Sequence, residues 1–513
     1  MSHRAISSAI RTLDLVPEDE CLTVGPFGVF PMRMDPPISC QTTPLSGIST
    51  FIRSDLSDVE VKASNKEKQT QNELGPFEVL DTDIEEIGTD LISVTPGDAI
   101  VRLEPSLYDC WPIKCRDERK LMHYWITFLC PLMIPIESQE NPFRTVLVPL
   151  ALSAAYDYGF SAGNSALLHS IYALAAIWGA NLRHAEQNQR ILGARHLQLS
   201  LQYLGFSISG NYNGFPEVIL AAITTLVLIG IFNGDSTPWR IHLRGAFIWL
   251  QSIDRSVWQG NHHASAIYQI FLCLDALRPA HRTLALELEP HDLCLDNGTM
   301  DERVQYQGSY LNDDSLMICS DTDYCLDTIF CIPQPLLKAI IQINNWVYIG
   351  RRPPANELES LELRIIFNNP DGMQPPYPAT VSEKMKRHYA CLWYVATYLY
   401  FNRSLQKLPL CNVQHLVRQS IEHLDAIALL ELGQNVSGIM WPAFIAGCDA
   451  INADLRDRVD AYFDKREALG VGNVAEARAV VREVWRRRDE VSGLVDVYWH
   501  EVMMDLGINI MLS

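Results

Sequence analysis

Residues Ile231–Leu250 read IFNGDSTPWRIHLRGAFIWL, and their reading decides the fold. Asn233, Gly234 and Asp235 break an apolar run. Thr237 then suits an N-cap, and Pro238 suits a first helical position, where its missing N–H is not needed. Trp239, Leu243, Ala246 and Leu250 follow as one apolar stripe, the pattern of a helix with a single buried face. Arg240 and Arg244 stand one turn apart on another side, and Asp235 just ahead can pair with Arg240. Gly245 inside the helix costs about 1 kcal/mol against alanine, so it marks the close approach of another segment. Asp235, Trp239, Arg240 and Arg244 are the candidate cluster, either a structural ion pair or a contact for an anionic effector.

The same periodicity extends both ways. Upstream, Val218–Phe232 is a fifteen-residue apolar run, shorter than the ~18–20 residues a membrane span needs, and it predicts a fully buried helix. Helices are also expected over Leu121–Cys130, Ala166–Leu182 and Arg190–Leu204, the last ended by Gly205. Downstream, helices are expected over His263–Leu277, Pro335–Ile349, Glu383–Leu405, Cys411–Leu430 and Val436–Ile451. Asn473 reads as the cap of a last helix, with Glu476 as its capping-box partner. Residues 351–379 read as a Pro/Asn-rich connection. No alternating run is closed by an Asn-Gly or Asp-Gly hairpin turn, so the fold class is all-α.

Charge is unevenly distributed. The chain has 513 residues, 48 % hydrophobic and 20 % charged, with a net charge of −20. Residues 1–115 carry −10 and residues 287–330 carry another −10, so the remainder is neutral. Residues 1–116 are therefore expected to be an acidic, largely disordered region, because such composition buries too little apolar surface to offset ordering entropy. Residues 117–513 are expected to be one helical regulatory domain, with 287–330 as an acidic insertion. An acidic chain with a neutral body binds phosphate backbones poorly.

The thirteen cysteines contain no C-x2-C pair and read as reduced intracellular thiols, with no metal or other cofactor expected. Gly470-Val471-Gly472-Asn473-Val474-Ala475 matches a dinucleotide fingerprint in form. A charged helix rather than a strand precedes it, so it reads as a turn between helices. Asp313-Asp314 lacks the third carboxylate of an isoprenoid-synthase metal motif, and no nucleophile–base set is visible. An enzyme is not expected. The clusters Lys384–Arg387 and Arg486–Arg488 read as solvated helix faces.

The quoted stretch resembles the signature of the fungal-specific regulatory domain that accompanies Zn2Cys6 transcription factors, in the subfamily called fungal transcription factor domain 2. Further blocks agree in order: His123–Leu152 with its Asn-Pro-Phe-Arg segment, Leu167–Leu182, MWPAFIAGCDA at Met440–Ala450, VWRRRDE at Val484–Glu490, and DVYWHEVMMDLG at Asp496–Gly507. The similarity spans Lys120–Ser513. It implies an all-helical regulatory region tied to dimer formation, activity control and metabolic signals, without catalytic residues.

The family's basic six-cysteine cluster is missing, since residues 1–116 hold Cys21, Cys40, Cys110 and Cys115 in an acidic context. Two readings follow: a regulator without its own zinc cluster, or a factor whose cluster is encoded upstream. The expected function is a nuclear transcription regulator, with metabolic or secondary-metabolite gene clusters as the pathway class. Expected partners are a DNA-binding or coregulator protein and a second copy of the chain. Neither direct DNA binding nor membrane association is expected. The alternative is a ligand-sensing or scaffolding protein, nuclear or cytoplasmic, that does not act at promoters.

Overall fold

The computed structural model describes residues 23–25 and 28–30. From 115 to 512 it describes all but 156–160, 183–186, 210–214, 235–237, 260, 280–322, 371, 373–379, 432–438 and 491–495. The described part of residues 1–114 is a short antiparallel pair, β1 (Thr23–Gly25) and β2 (Gly28–Phe30), with Thr23 opposite Phe30. The acidic segments of residues 31–114 and 287–322, and Asp235 and Thr237, lie outside the described residues.

From residue 115 onward the described chain is helical, as the periodicity predicts. The amino-terminal half holds α1 (Arg116–Tyr124), α2 (Pro142–Thr145), α3 (Leu147–Leu152), α4 (Ala162–Leu182), α5 (Gln187–Ser209), α6 (Pro216–Asn233), α7 (Pro238–Leu250) and α8 (His262–Ala276). The carboxy-terminal half holds α9 (Leu326–Ile329), α10 (Gln334–Ile349), α11 (Ala355–Phe367), α12 (Val381–Ser404), α13 (Gln414–Leu430), α14 (Met440–Cys448), α15 (Ala453–Glu467), α16 (Asn473–Glu490) and α17 (Trp499–Leu506).

Helix α6 is the centre of the first half. Every residue from Val218 to Phe232 is buried, and α4, α7 and α8 pack around it. Helices α4 and α6 are both long and apolar enough to cross a membrane, but 83 % of each such window is buried inside the protein. Thr224 and Thr225 are tolerated at depth because each hydroxyl donates to the carbonyl four residues back. In the second half α12 packs on α13 and α14, and α16 covers α14. Thr380 and Glu383 form a reciprocal capping box that fixes the start of α12.

Two imidazole pairs lie between packed neighbours. The Nδ1 atoms of His169 and His196 lie 3.0 Å apart between α4 and α5, and those of His388 and His423 lie 3.1 Å apart between α12 and α13. Ring centroids are 5.2 and 5.4 Å apart, longer than the nitrogen separations by about two ring radii. The two nitrogens of each pair lie at hydrogen-bond distance, with one ring N–H as donor to the other ring.

Several boundaries differ from the sequence reading. Helix α5 runs through Gly205 to Ser209, and a Cβ at Gly205 would meet nothing within 4 Å. A glycine lowers helix propensity but does not stop a helix whose neighbours are packed. Residues 351–379 are not connection throughout, because α11 lies inside them. Its buried stripe, Leu358, Leu361 and Ile365, is short and hidden among charged residues. Asn473 does not cap α16: its carboxamide oxygen accepts no hydrogen bond. The first helix continues past Tyr124 as a π-turn over Trp125–Leu129. The Trp125 indole N–H holds that turn by donating to the Phe143 carbonyl at 3.1 Å.

Candidate functional site

The stretch Ile231–Leu250 forms a joint where the two halves meet. Helix α6 ends at Gly234, whose φ of +69° is the left-handed conformation that closes a helix. The Gly470–Gly472 turn between α15 and α16 lies directly against it. The Gly472 N–H donates to the Phe232 carbonyl at 3.1 Å. A Cβ on Gly472 would stand 2.5 Å from the Phe232 oxygen and 2.7 Å from the Gly234 nitrogen, both backbone atoms that cannot move aside. Asn181 at the end of α4 donates to the carbonyls of Phe232 and Gly470, at 2.6 and 3.0 Å. The Trp178 indole donates to Leu469 at 2.9 Å.

The nominal dinucleotide fingerprint is therefore a helix-to-helix turn, with Gly470 at φ +75°. Gly245 is buried, and the described close approach of α6 to α7 falls at another glycine: a Cβ at Gly230 would lie 3.1 Å from that of Trp239.

Residues Asp496–Leu512 run back across both halves. Asn509 reaches the joint: its carbonyl accepts the Trp239 indole N–H at 3.2 Å, and its side-chain oxygen accepts from Arg240. Asn473 donates to the Met511 carbonyl at 2.6 Å. The Arg240 guanidinium lies 4.8 Å from the Trp239 ring centre, a cation–π contact. Of the candidate cluster, then, Trp239 and Arg240 are brought together with Asn509. Arg244 stands half-buried one turn on, and Asp235 is outside the described residues. Burial pushes the His242 imidazole in the same helix down to about 4.

The other end of this strap meets a buried charge cluster that the sequence reading missed. Asp449, just past the Trp-Pro-x-Phe-Ile-Ala-Gly block, lies 3.4 Å from Arg403 Nε and 3.2 Å from Arg488 Nη2. Arg403 also pairs with Asp496 at 3.0 Å, and Arg488 donates to the Val497 carbonyl at 2.8 Å. Burial pushes the Asp449 carboxyl above its ordinary value, with both guanidiniums pulling the other way. The one sequence signal was a carboxylate closing a run of apolar residues.

Arg486–Arg488 is not an open basic face. Arg486 pairs with Glu483 and Glu490, Arg487 with Glu483 and Asp505, and Arg488 is buried. Next to them, Arg478 and Arg482 hold the Asp460 carboxyl well below the usual range through direct hydrogen bonds.

Two further features bear on chemistry. An apolar cavity of about 50 Å³ lies between the halves, lined by Leu132, Met133, Leu277, Phe330 and Trp393 among others. That is a fraction of the ~150 Å³ that accommodates benzene. Among the described residues no group of three or more His, Cys, Asp or Glu could hold a metal ion.

Residues 120–513 match the family described as Fungal specific transcription factor domain. The Arginine metabolism regulation protein II of Saccharomyces cerevisiae is 29 % identical over 128 residues, covering 25 % of this chain. The match spans 14 % of that relative's own length. No solved structure matches. With most of its length matched and a helical body that carries the matching blocks, the chain belongs to the fungal specific transcription factor domain family, a family of transcription regulators.

Proposed function

We propose that this chain is a nuclear regulator of metabolic or secondary-metabolite genes that works through protein contacts of its helical domain, without a catalytic step. The observation that carries this reading is the family match over residues 120–513. The yeast relative's name, which refers to regulation of arginine metabolism, favours metabolic genes as the targets. DNA contact comes from a DNA-binding or coregulator partner, and the chain pairs with a second copy of itself. The acidic balance supports this division of labour, because affinity for nucleic acid rests on cations that displace counterions. For nuclear import, Lys384 and Lys386 at the start of α12 are exposed, whereas Arg486–Arg488 are engaged in ion pairs.

The test is transcriptional. The full chain, fused to a heterologous DNA-binding domain, should change output from a reporter carrying the matching site. Deleting its gene should shift a coherent set of metabolic transcripts. Unchanged reporter output together with an unchanged transcriptome would overturn the reading and favour a scaffold in the cytoplasm.

A further inference from the structure

We propose that residues Ile508–Leu512 form a releasable arm that latches the joint between the two halves, giving the joint a docked and an undocked state.

The arm begins just past the turn that closes α17. Gly507 ends the helix with a φ of +62°, and the N–H groups of Gly507 and Ile508 donate to the Met504 and Met503 carbonyls at 3.0 and 2.9 Å. Beyond it, residues 508–512 have no helix or strand of their own. From Asn509 on they are held by groups from elsewhere: Trp239 and Arg240 of α7 on Asn509, and Asn473 of α16 on the Met511 carbonyl. Ile510, Met511 and Leu512 are at most 1 % exposed, so the docked arm is well seated. A segment without helix or strand hydrogen bonds of its own, even one with buried side chains, opens before the helices it rests on.

Undocking would leave the joint standing. The Gly472 bond to Phe232, the two Asn181 bonds and the Trp178 bond to Leu469 do not involve the arm. Release would uncover the Trp239 indole and the start of α16, and would free the Arg240 guanidinium from Asn509. The unpaired Asn473 oxygen beside Met511 already leaves one polar atom of that contact unsatisfied, which weakens the docked state.

Methionine oxidation reads the two states directly. Met511, Met503 and Met122 are 1 %, 0 % and 0 % exposed, and lie in the arm, in α17 and in α1. The full chain is treated with dilute hydrogen peroxide, and sulfoxide formation is followed peptide by peptide. Met511 is expected to oxidise at least tenfold faster than Met503 and Met122. Asn509→Ala should speed Met511 a further tenfold or so, leave Met122 unchanged, and raise hydrogen exchange in residues 242–250 of α7 but not in α12. Leu512→Ala should give the same pattern. Met511 as protected as Met122 in the unmodified chain would overturn the proposal. So would faster Met511 oxidation in both variants without any change in α7. If Asn509→Ala fails to fold by circular dichroism, the unmodified chain and Leu512→Ala decide.

Discussion

The strap of residues 496–512 is fastened at two places built from opposite materials. At the α6–α7 joint the described contacts are mostly between neutral groups, indole and amide N–H on backbone carbonyls and glycines at contact distance, with the Arg240 guanidinium over the Trp239 ring as the charged member. At Asp449 the contacts are ionic, with Arg403 and Arg488 buried on either side. The neutral joint depends on shape, because backbone atoms meet with no side chain between them. The ionic node depends on charge balance, because a buried ion without its partner is costly. Two fastenings of one strap should therefore fail for different reasons.

The largest effect should come from shape. Gly472→Val would drive a branched side chain into the Phe232 carbonyl, and should cost about 4 kcal/mol or more. The urea midpoint of the full chain measures this, with loss of cooperative unfolding as the extreme case. A loss below about 1 kcal/mol would mean that the two halves slide apart easily, and the contrast between rigid and ionic fastenings would collapse.

Asp449→Ala should come next, at about 3 kcal/mol, because it removes the carboxylate that two buried guanidiniums share. Pairing Asp449→Leu with Arg488→Met should recover part of that loss, which a double-mutant cycle in urea would reveal. Full additivity of the two changes would show that Asp449 and Arg488 do not act as a pair.

Acid should separate the halves by pH window. Burial pushes His169, His196 and His242 in the first half down to about 4, below an ordinary value of 6.5. The unfolded chain binds more protons between those values, so stability falls as pH drops from 6.5 towards 4. His242, the most deeply buried of the three, should contribute about 3 kcal/mol to that loss. In the second half Arg486 and Arg487 hold Glu483 down to about 2, and Arg478 holds Asp460 below its ordinary range. Those carboxylates add stability above their unfolded values and lose it only in stronger acid, through their folded values. Hydrogen exchange at pH 7.5, 5 and 3.5 should show α4–α7 loosening before α15–α16. Simultaneous loosening, or the reverse order, would break the comparison.

Much of the fold was legible in local pattern. A fifteen-residue apolar run marked a buried helix, and Pro238 followed by a spaced apolar stripe marked the start of another. Helix α11 was missed because its three buried residues are few and its flanks are rich in proline and asparagine. Asn473 misled for a different reason. Its sequence context fits a capping box, but its side chain is drawn away to Met511, which is distant in sequence. The candidate site was half legible: Trp239 and Arg240 stood out, whereas Asn509, Gly472 and Asp449 did not.

What the sequence determined by itself was most of the long helices, their buried faces and the family, because periodicity and ordered blocks are short-range properties. What only the tertiary structure decided was which groups meet. Asn509 lies about 270 residues from Trp239, and Arg488 about 40 from Asp449. Contacts at that range leave no periodic trace, since each partner answers to the packing of its own helix and meets the other only once both halves have closed.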